Sequence, residues 1–392
     1  MSQQLISRNA DLKRLRDEGY DVTVKSGHLV LGRIPYVTSH REIRYGTLIS
    51  ELSLSGDVTT APATHVAYWD GEFPCDHNGS PIEKIRHQSG TQTLGGNLTI
   101  QHSFSSKPDG GYKDHYEKMA TYISIIANQA RAIDPSVTPT HCPAIESESD
   151  DSVFAYLDTA TSRAGIGAVN DKLKAERIGI IGLGGTGSYV LDLVAKTPVQ
   201  EIHLFDGDRF SQHNAFRSPG AASLQDLRES PKKVTYFRTQ YARMHRRILA
   251  HDGFLNGSNV EQLHGLTFVF MCMDDGEAKK PVVAELEAKG IPFIDVGMGL
   301  QYTDNQLRGL VRVTTSTAAK RDHVLAHKRI PFTGGGSNEY TRNIQIADLN
   351  ALNAALAVIK WKKIRGFYAD LDREHFSVYT IDGNTLDNED KA

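Results

Sequence analysis

Residues 177–206 read RIGIIGLGGTGSYVLDLVAKTPVQEIHLFD, and this stretch decides how the second half of the chain folds. An apolar run, Ile178 to Ile181, opens into glycines at 182, 184, 185 and 187; an amphipathic segment follows, then a second apolar run closing on Asp206. That order predicts a strand, a glycine turn, a helix and a parallel strand, the unit of an open α/β sheet. Gly182, Gly184, Gly185 and Gly187 let bare backbone approach phosphates where the helix N-terminus favours negative charge. Asp206 ends the second strand at about the distance downstream where a carboxylate meets a ribose. Alone, the segment suits a dinucleotide-dependent dehydrogenase as well as an ATP enzyme.

The next residues separate the two. DGDRFSQHNAFRSPGAASLQDLRESPKK places Asp208, Asn214, Arg217, Lys232 and Lys233 in the loop and early helix beyond Asp206, at the carboxyl ends of the strands. A dehydrogenase needs a ribose contact there and little else, whereas several cations and an amide suit a triphosphate that departs as pyrophosphate. A later apolar strand, Leu266 to Met271, runs into Cys272-Met273-Asp274-Asp275. A carboxylate facing phosphates is repelled unless a divalent cation lies between, so Asp274 reads as a magnesium ligand.

The order GxGGxG, strand-end Asp, Asn then Arg, Pro-Lys and strand-end Asp resembles the ThiF superfamily of ubiquitin-activating-like adenylyltransferases, over about Asp158 to Tyr368. The resemblance implies ATP-dependent adenylation of the C-terminal glycine carboxylate of a ubiquitin-like or sulfur-carrier protein. It implies that Gly182, Gly184, Gly185 and Gly187 form the phosphate turn, that Asp206 holds the ribose, that Asn214, Arg217 and Lys232 contact phosphates, and that Asp274 takes the magnesium. It also implies a homodimer, and an arginine ahead of the first strand that reaches a phosphate across the interface. Arg163 is the matching residue; the plainer reading is a helix arginine bound to solvent or a nearby acid.

Many relatives pass the acyl group to a cysteine beyond the adenylation core, and here the pattern breaks. The cysteines are Cys75, Cys142 and Cys272, with none after Asp274 and no CxxC pair for a structural zinc. Three readings stay open. The enzyme stops at the adenylate and a partner, such as a conjugating enzyme, takes the acyl group; or a hydroxyl of Thr314, Thr315, Ser316 or Thr317 accepts it, with His323 and His327 near in sequence as bases; or Cys75 does. Cys272 reads as a small buried thiol. The segment from His323 through Gly334–Gly336 reads as a basic, glycine-hinged loop over a carrier tail.

The 392 residues suffice for two domains. A net charge of −3 makes no case for nucleic acid, no apolar run is long enough for a bilayer, and the first twenty residues lack a signal peptide's apolar centre. A cytoplasmic protein is expected, in keeping with three dispersed cysteines. Residues 1–142 read as a smaller α+β domain of unassigned role: a short helix from Asp11 to about Tyr20, a hairpin in DVTVKSGHLVLGRIPYV turning at Ser-Gly, strands in THVAYWDGEFPCDHNGSPI and NLTIQHSFSS, and a helix from Tyr112 to Ala132. Residues 143–157 read as an acidic linker, 158–380 as the ThiF-type adenylation domain with a doubly wound, Rossmann-like, mainly parallel sheet, and 381–392 as a frayed acidic tail. The helical spacing of Ile346, Leu349, Leu352, Leu356 and Ile359 predicts a packed helix. The expected function is magnesium- and ATP-dependent adenylation. The alternatives are a nucleotide-retaining ThiF-like scaffold, or an NAD-dependent oxidoreductase, which leaves the cations and Asp274 unexplained.

Overall fold

The computed structural model describes residues 2–96, 98–147, 152–332 and 344–392. The Gly334–Gly336 hinge and part of the acidic stretch after Pro143 lie outside the described residues. The chain forms two compact units, residues 1–148 and 149–392.

The first unit opens with helices α1 (Ser2–Arg8) and α2 (Ala10–Asp17). Its strands are β1 (Asp21–Lys25), β2 (His28–Val37), β3 (Ile43–Glu51), a two-stranded ribbon of β4 (Leu54–Ser55) and β5 (Val58–Thr59), β6 (Val66–Asp70), β7 (Arg86–Gly95) and β8 (Leu98–Ser105). Six of them form one antiparallel sheet in the order β1-β2-β3-β6-β8-β7. The β1–β2 hairpin turns at Ser26 and Gly27, both at positive φ as a tight primed turn requires. Helix α3 (His115–Ile133) starts where the Asp114 carboxylate accepts from the Glu117 N–H, and packs Met119, Tyr122, Ile123 and Ile126 against Leu29, Leu48, Trp69 and Phe104 of the sheet. Lys118 on α3 is buried, donates to Ser50 Oγ at 2.8 Å and the Thr64 carbonyl at 2.9 Å, and is lowered by burial to about 8.

The second unit begins with α4 (Thr159–Ala164) and α5 (Gly167–Asn170), then alternates: β9 (Arg177–Ile181), α6 (Gly185–Val194), β10 (Glu201–Asp206), α7 (Gln212–Ala215), α8 (Leu224–Glu229), α9 (Lys233–Tyr241), β11 (Ile248–Asp252), β12 (Phe268–Met271), α10 (Gly276–Ala288) and β13 (Phe293–Thr303). Strands β9 to β13 pair in parallel in the order β11-β10-β9-β12-β13. The winding reverses between β9 and β12, the place where doubly wound sheets bind ligands. β14 (Gln306–Ser316) then pairs antiparallel with β13. After α11 (Asp322–Ala326) and α12 (Ala347–Ile364), β15 (Phe376–Thr380) and β16 (Thr385–Glu389) extend the sheet antiparallel to eight strands. The expected frayed tail over 381–392 is corrected here, because Thr385–Glu389 bonds to β15 and Asp390 beyond it is ion-paired.

Both faces of the parallel half are covered, which explains its continuous apolar runs. Ile180, Leu204, Phe268 and Phe270 face α6 and α12, where Leu191, Ala354 and Trp361 meet them; Ile181, Phe205, Val269 and Met271 face α10 through Val282 and Leu286. Among the described residues no helix is long and apolar enough to cross a membrane.

Candidate functional site

The glycine turn joins β9 to α6, and its glycines answer to different demands. Gly182 sits at φ 87°, and a Cβ there would lie 2.8 Å from the Cys272 carbonyl oxygen. Gly187 lets α6 close onto the turn, since its Cβ would lie 1.8 Å from the Gly182 carbonyl oxygen, and Gly185 leaves room for the Asn350 side chain. Gly184 differs: it precedes α6 at φ −72°, an ordinary angle, and a Cβ there would meet nothing within 4 Å. The space above Gly184 is open, which leaves room for bare backbone to approach a ligand.

Asp206 ends β10 and is buried; its Oδ2 accepts from the Leu183 N–H at 2.6 Å and its Oδ1 from the Asp208 N–H at 2.8 Å. The carboxylate thereby ties the glycine turn to the next strand. Lys233, buried at the start of α9, lies 2.7 Å from Asp208 and 3.6 Å from Asp206. The Asp208 side chain is 55% exposed and is the more open of the two carboxylates. Lys232 turns the other way, donating to the Gly207 carbonyl at 2.8 Å and pairing with Asp252 at 3.0 Å.

Asn214 and Arg217 follow on and after α7. Asn214 Oδ1 accepts from the Ser211 N–H at 2.8 Å and closes a capping box, while its buried Nδ2 has no hydrogen-bond partner among the described residues. Arg217 Nε is also buried and unpartnered. Burial pushes the Arg217 guanidinium below its ordinary value, and the Asp274 and Asp208 carboxylates, near enough to be felt, draw it back up. Two orphaned buried donors are costly unless something accepts from them. Their chemistry, an amide and a guanidinium beside an open turn, suits phosphate oxygens.

The Asp274-Asp275 pair after β12 divides its work. Asp275 caps α10, accepting from the Glu277 and Ala278 N–H groups at 3.0 and 3.2 Å, whereas Asp274 is exposed and within electrostatic reach of Arg217. Among the described residues no three His, Cys, Asp or Glu side chains form a metal cluster. A magnesium at Asp274 would therefore draw its other ligands from phosphate and water, as that ion commonly does. Arg163, on α4, is exposed.

The acyl-acceptor candidates lie elsewhere. Thr314, Thr315 and Ser316 are buried in β14, and Thr314 bonds to Arg312 and the Arg329 carbonyl. Thr317 donates to His375 Nε2 at 2.9 Å, while His375 Nδ1, 3.0 Å from the Arg373 carbonyl, donates there. Burial holds that imidazole below its ordinary value and so neutral. Ser316 pairs with Phe293 at the amino end of β13, whereas Asp206 and Met271 end their strands at the carboxyl side, so Thr317 lies at the end of the sheet opposite the glycine turn. His323 and His327 both contact Asp390, at 3.2 and 2.7 Å. Cys75 is buried in the first unit and Cys272 sits after β12; burial raises both thiols. Cys142 is exposed.

Sequence reasoning named Lys232 as the phosphate contact and counted Lys233, which joins the two aspartates, only among the cations beyond Asp206. It also passed over Asn350, whose Oδ1 accepts from Thr186 Oγ1 at 2.9 Å and whose side chain sits on Gly185. The signal for Asn350 was a polar residue at helical spacing among the apolar ones, a signal it shares with Asn353 and Lys360, which are also buried on α12.

Comparison with known proteins bears on both units. Residues 159–322 match the ThiF family, and residues 10–159 match a family described as a domain of unknown function, DUF6791. The chain is 22% identical over 150 residues to ubiquitin-like modifier-activating enzyme 5 of Aedes aegypti, and 23% identical over 144 residues to that of Drosophila persimilis. These alignments take in 36% and 33% of this chain and only 38% and 36% of the relatives. Among solved structures, PaaA is similar at a TM-score of 0.46 and 16% identity, over 57% of this chain and 75% of that one. The E. coli MccB structure with ATP is similar at 0.44 and 15%, over 60% and 70%. Residues 159–322 are thus a ThiF-family domain, doubly wound around a largely parallel sheet, and a domain of unknown function precedes it in sequence.

Proposed function

We propose that the second unit uses ATP to adenylate the C-terminal carboxylate of a ubiquitin-like or sulfur-carrier protein. The observation that carries this reading is the pair of buried donors with no partner among the described residues, Asn214 Nδ2 and Arg217 Nε, in a ThiF-family domain whose Gly184 backbone is open. In this reading the triphosphate lies along the Gly184 turn and accepts from Asn214 and Arg217, and the ribose hydroxyls fall to the Asp206–Asp208 pair, with Asp208 the more open partner. The carrier carboxylate, ionised at neutral pH, needs no general base. One of its oxygens bonds to the α-phosphorus, the bond from that phosphorus to the β-bridging oxygen breaks, and pyrophosphate leaves with the electron pair. Arg217 neutralises the charge that builds on the phosphoryl oxygens, joined in a homodimer by Arg163 from the other copy, while Lys232 is held by the Gly207 carbonyl and Asp252 and takes no part in this step. Magnesium held by Asp274 would supply further neutralisation of the phosphate charge.

In this reading the chain stops at the acyl-adenylate, which the burial of Thr314–Ser316 and Cys75 and the position of Thr317 at the far end of the sheet support. A partner's nucleophile then takes the acyl group. The test is pyrophosphate exchange into ATP with magnesium, run with small glycine-terminated carrier proteins and followed by intact mass under non-reducing conditions. Carrier-dependent exchange without a covalent adduct on this chain is expected. ATP binding with no exchange for any carrier would favour the scaffold reading, and NAD bound more tightly than ATP would end the adenylation reading.

A further inference from the structure

Phe254 follows β11, on the side of the site away from the phosphate turn, and the residue is 64% exposed. Three features hold that ring in place. Its neighbour Leu255 is 3% exposed and buried in the core with Phe205, anchoring the loop. The Phe254 carbonyl accepts from Asn259 Nδ2 at 3.1 Å. The ring itself rests on Gly207, where a Cβ would lie 2.6, 2.7 and 2.9 Å from three of its carbons. Gly207 is not at positive φ, so its glycine serves the ring and not the backbone.

Gly207 stands between Asp206 and Asp208, and Asp206 pairs across the sheet with Asp252 at the end of β11. In the reading proposed above, on which this inference rests, phosphates lie at the end of β9 and ribose at the end of β10. The strand order β9-β10-β11 then carries the nucleobase outward to the end of β11. An aromatic ring seated there, one side on Gly207 and the rest open, lies where that path ends.

We infer that Phe254 is the platform on which the purine base of the nucleotide stacks, with Gly207 as the seat that fixes the ring. Stacking is indifferent to the phosphates, so the contribution is the same for AMP and for ATP and absent for a ligand without a base.

The experiment titrates the full chain and its Phe254→Ala, Phe254→Tyr and Phe254→Trp variants with ATP, AMP and inorganic tripolyphosphate by calorimetry. Phe254→Ala is expected to weaken ATP and AMP alike by roughly tenfold, the size of a lost base–aromatic stack, with tripolyphosphate unaffected and Phe254→Tyr close to wild type. Both native tryptophans, Trp69 and Trp361, are buried, so the emission added by Phe254→Trp reports the platform directly and is quenched by AMP. Unchanged AMP affinity in Phe254→Ala, an equal loss for tripolyphosphate, or an unquenched Trp in protein that binds AMP overturns the platform while leaving the nucleotide site standing. Wild-type protein that binds none of the three ligands overturns both readings together.

Discussion

Single residues in the site divide into those the fold needs and those a ligand needs, and neighbours often fall on opposite sides. Gly187→Ala would push a methyl group to 1.8 Å from a carbonyl oxygen, so it should destabilise the second unit by about 1–3 kcal/mol or more. Gly184→Ala meets nothing within 4 Å; it should cost less stability than Gly187→Ala while ATP affinity falls by roughly 1.5–3 kcal/mol, the worth of a hydrogen bond to a charged group. Thermal melts paired with calorimetric titration check both, and a Gly184→Ala protein that binds ATP normally would remove the turn from the site. The aspartates after β12 make a second contrast. Asp275→Ala should lower stability by about 1 kcal/mol through loss of the α10 cap, whereas Asp274→Ala should leave the melt unchanged and abolish magnesium-dependent exchange. Near-normal turnover in Asp274→Ala would exclude it as the metal ligand.

At the scale of elements, the C-terminal strand acts as a clamp. Asp390, just past β16, accepts from Arg329 Nε at 2.7 Å and contacts His323 and His327, and so ties the segment around α11 to the sheet. Burial alone would raise this carboxyl, but the bonds from Arg329 and His327 outweigh it and hold it below the usual range. A depressed folded value means that the stabilisation is present above the unfolded value of about 3.9 and disappears as pH falls through the folded one. Asp390→Asn should therefore cost roughly 1–3 kcal/mol at neutral pH, with the gap to wild type closing below about pH 4 in denaturant titrations. A gap that persists at pH 2 would show that the loss is packing and not charge. This clamp was illegible in the sequence for a physical reason: every residue of β16 is exposed, so no alternation of apolar and polar residues marks a strand. β7 escaped notice similarly, with eight exposed residues in a row; β3 also went unread, although its Leu48, Ile49 and Ser50 are buried. The strands buried on both faces were legible because burial imposes an apolar run, and the Ser-Gly turn of β1–β2 because positive φ restricts residue choice. The choice between Lys232 and Lys233 depended on where α9 starts. Lys232 has extended dihedrals and Lys233 begins the helix, so adjacent lysines diverge, a detail that spacing does not carry.

Across the whole molecule, each unit has its own core and one of the chain's two tryptophans. Trp69 is buried in the first unit, against Tyr36 and Phe104, and Trp361 in the second, near Phe268 and Phe270. Trp69→Phe and Trp361→Phe variants thus make each unit report its own unfolding. ATP with magnesium at about a hundredfold excess over its dissociation constant should stabilise the unit read by Trp361 by about 2.7 kcal/mol, leaving the Trp69 transition where it was. A matching shift at Trp69 would show that the first unit also senses the nucleotide. The eight-stranded sheet has one further consequence, for behaviour in concentrated solution. Its outer strand β16 offers unpaired backbone groups along TLDNE, a template on which another strand would ordinarily build. Glu389 is ion-paired with Arg329, but Asp387 puts negative charge on that rim, so a second copy approaching edge to edge in register would set carboxylate near carboxylate. The Asp387 carboxylate thus guards the sheet against self-templated growth, and neutralising it to Asn should make the rim more prone to seed precipitation.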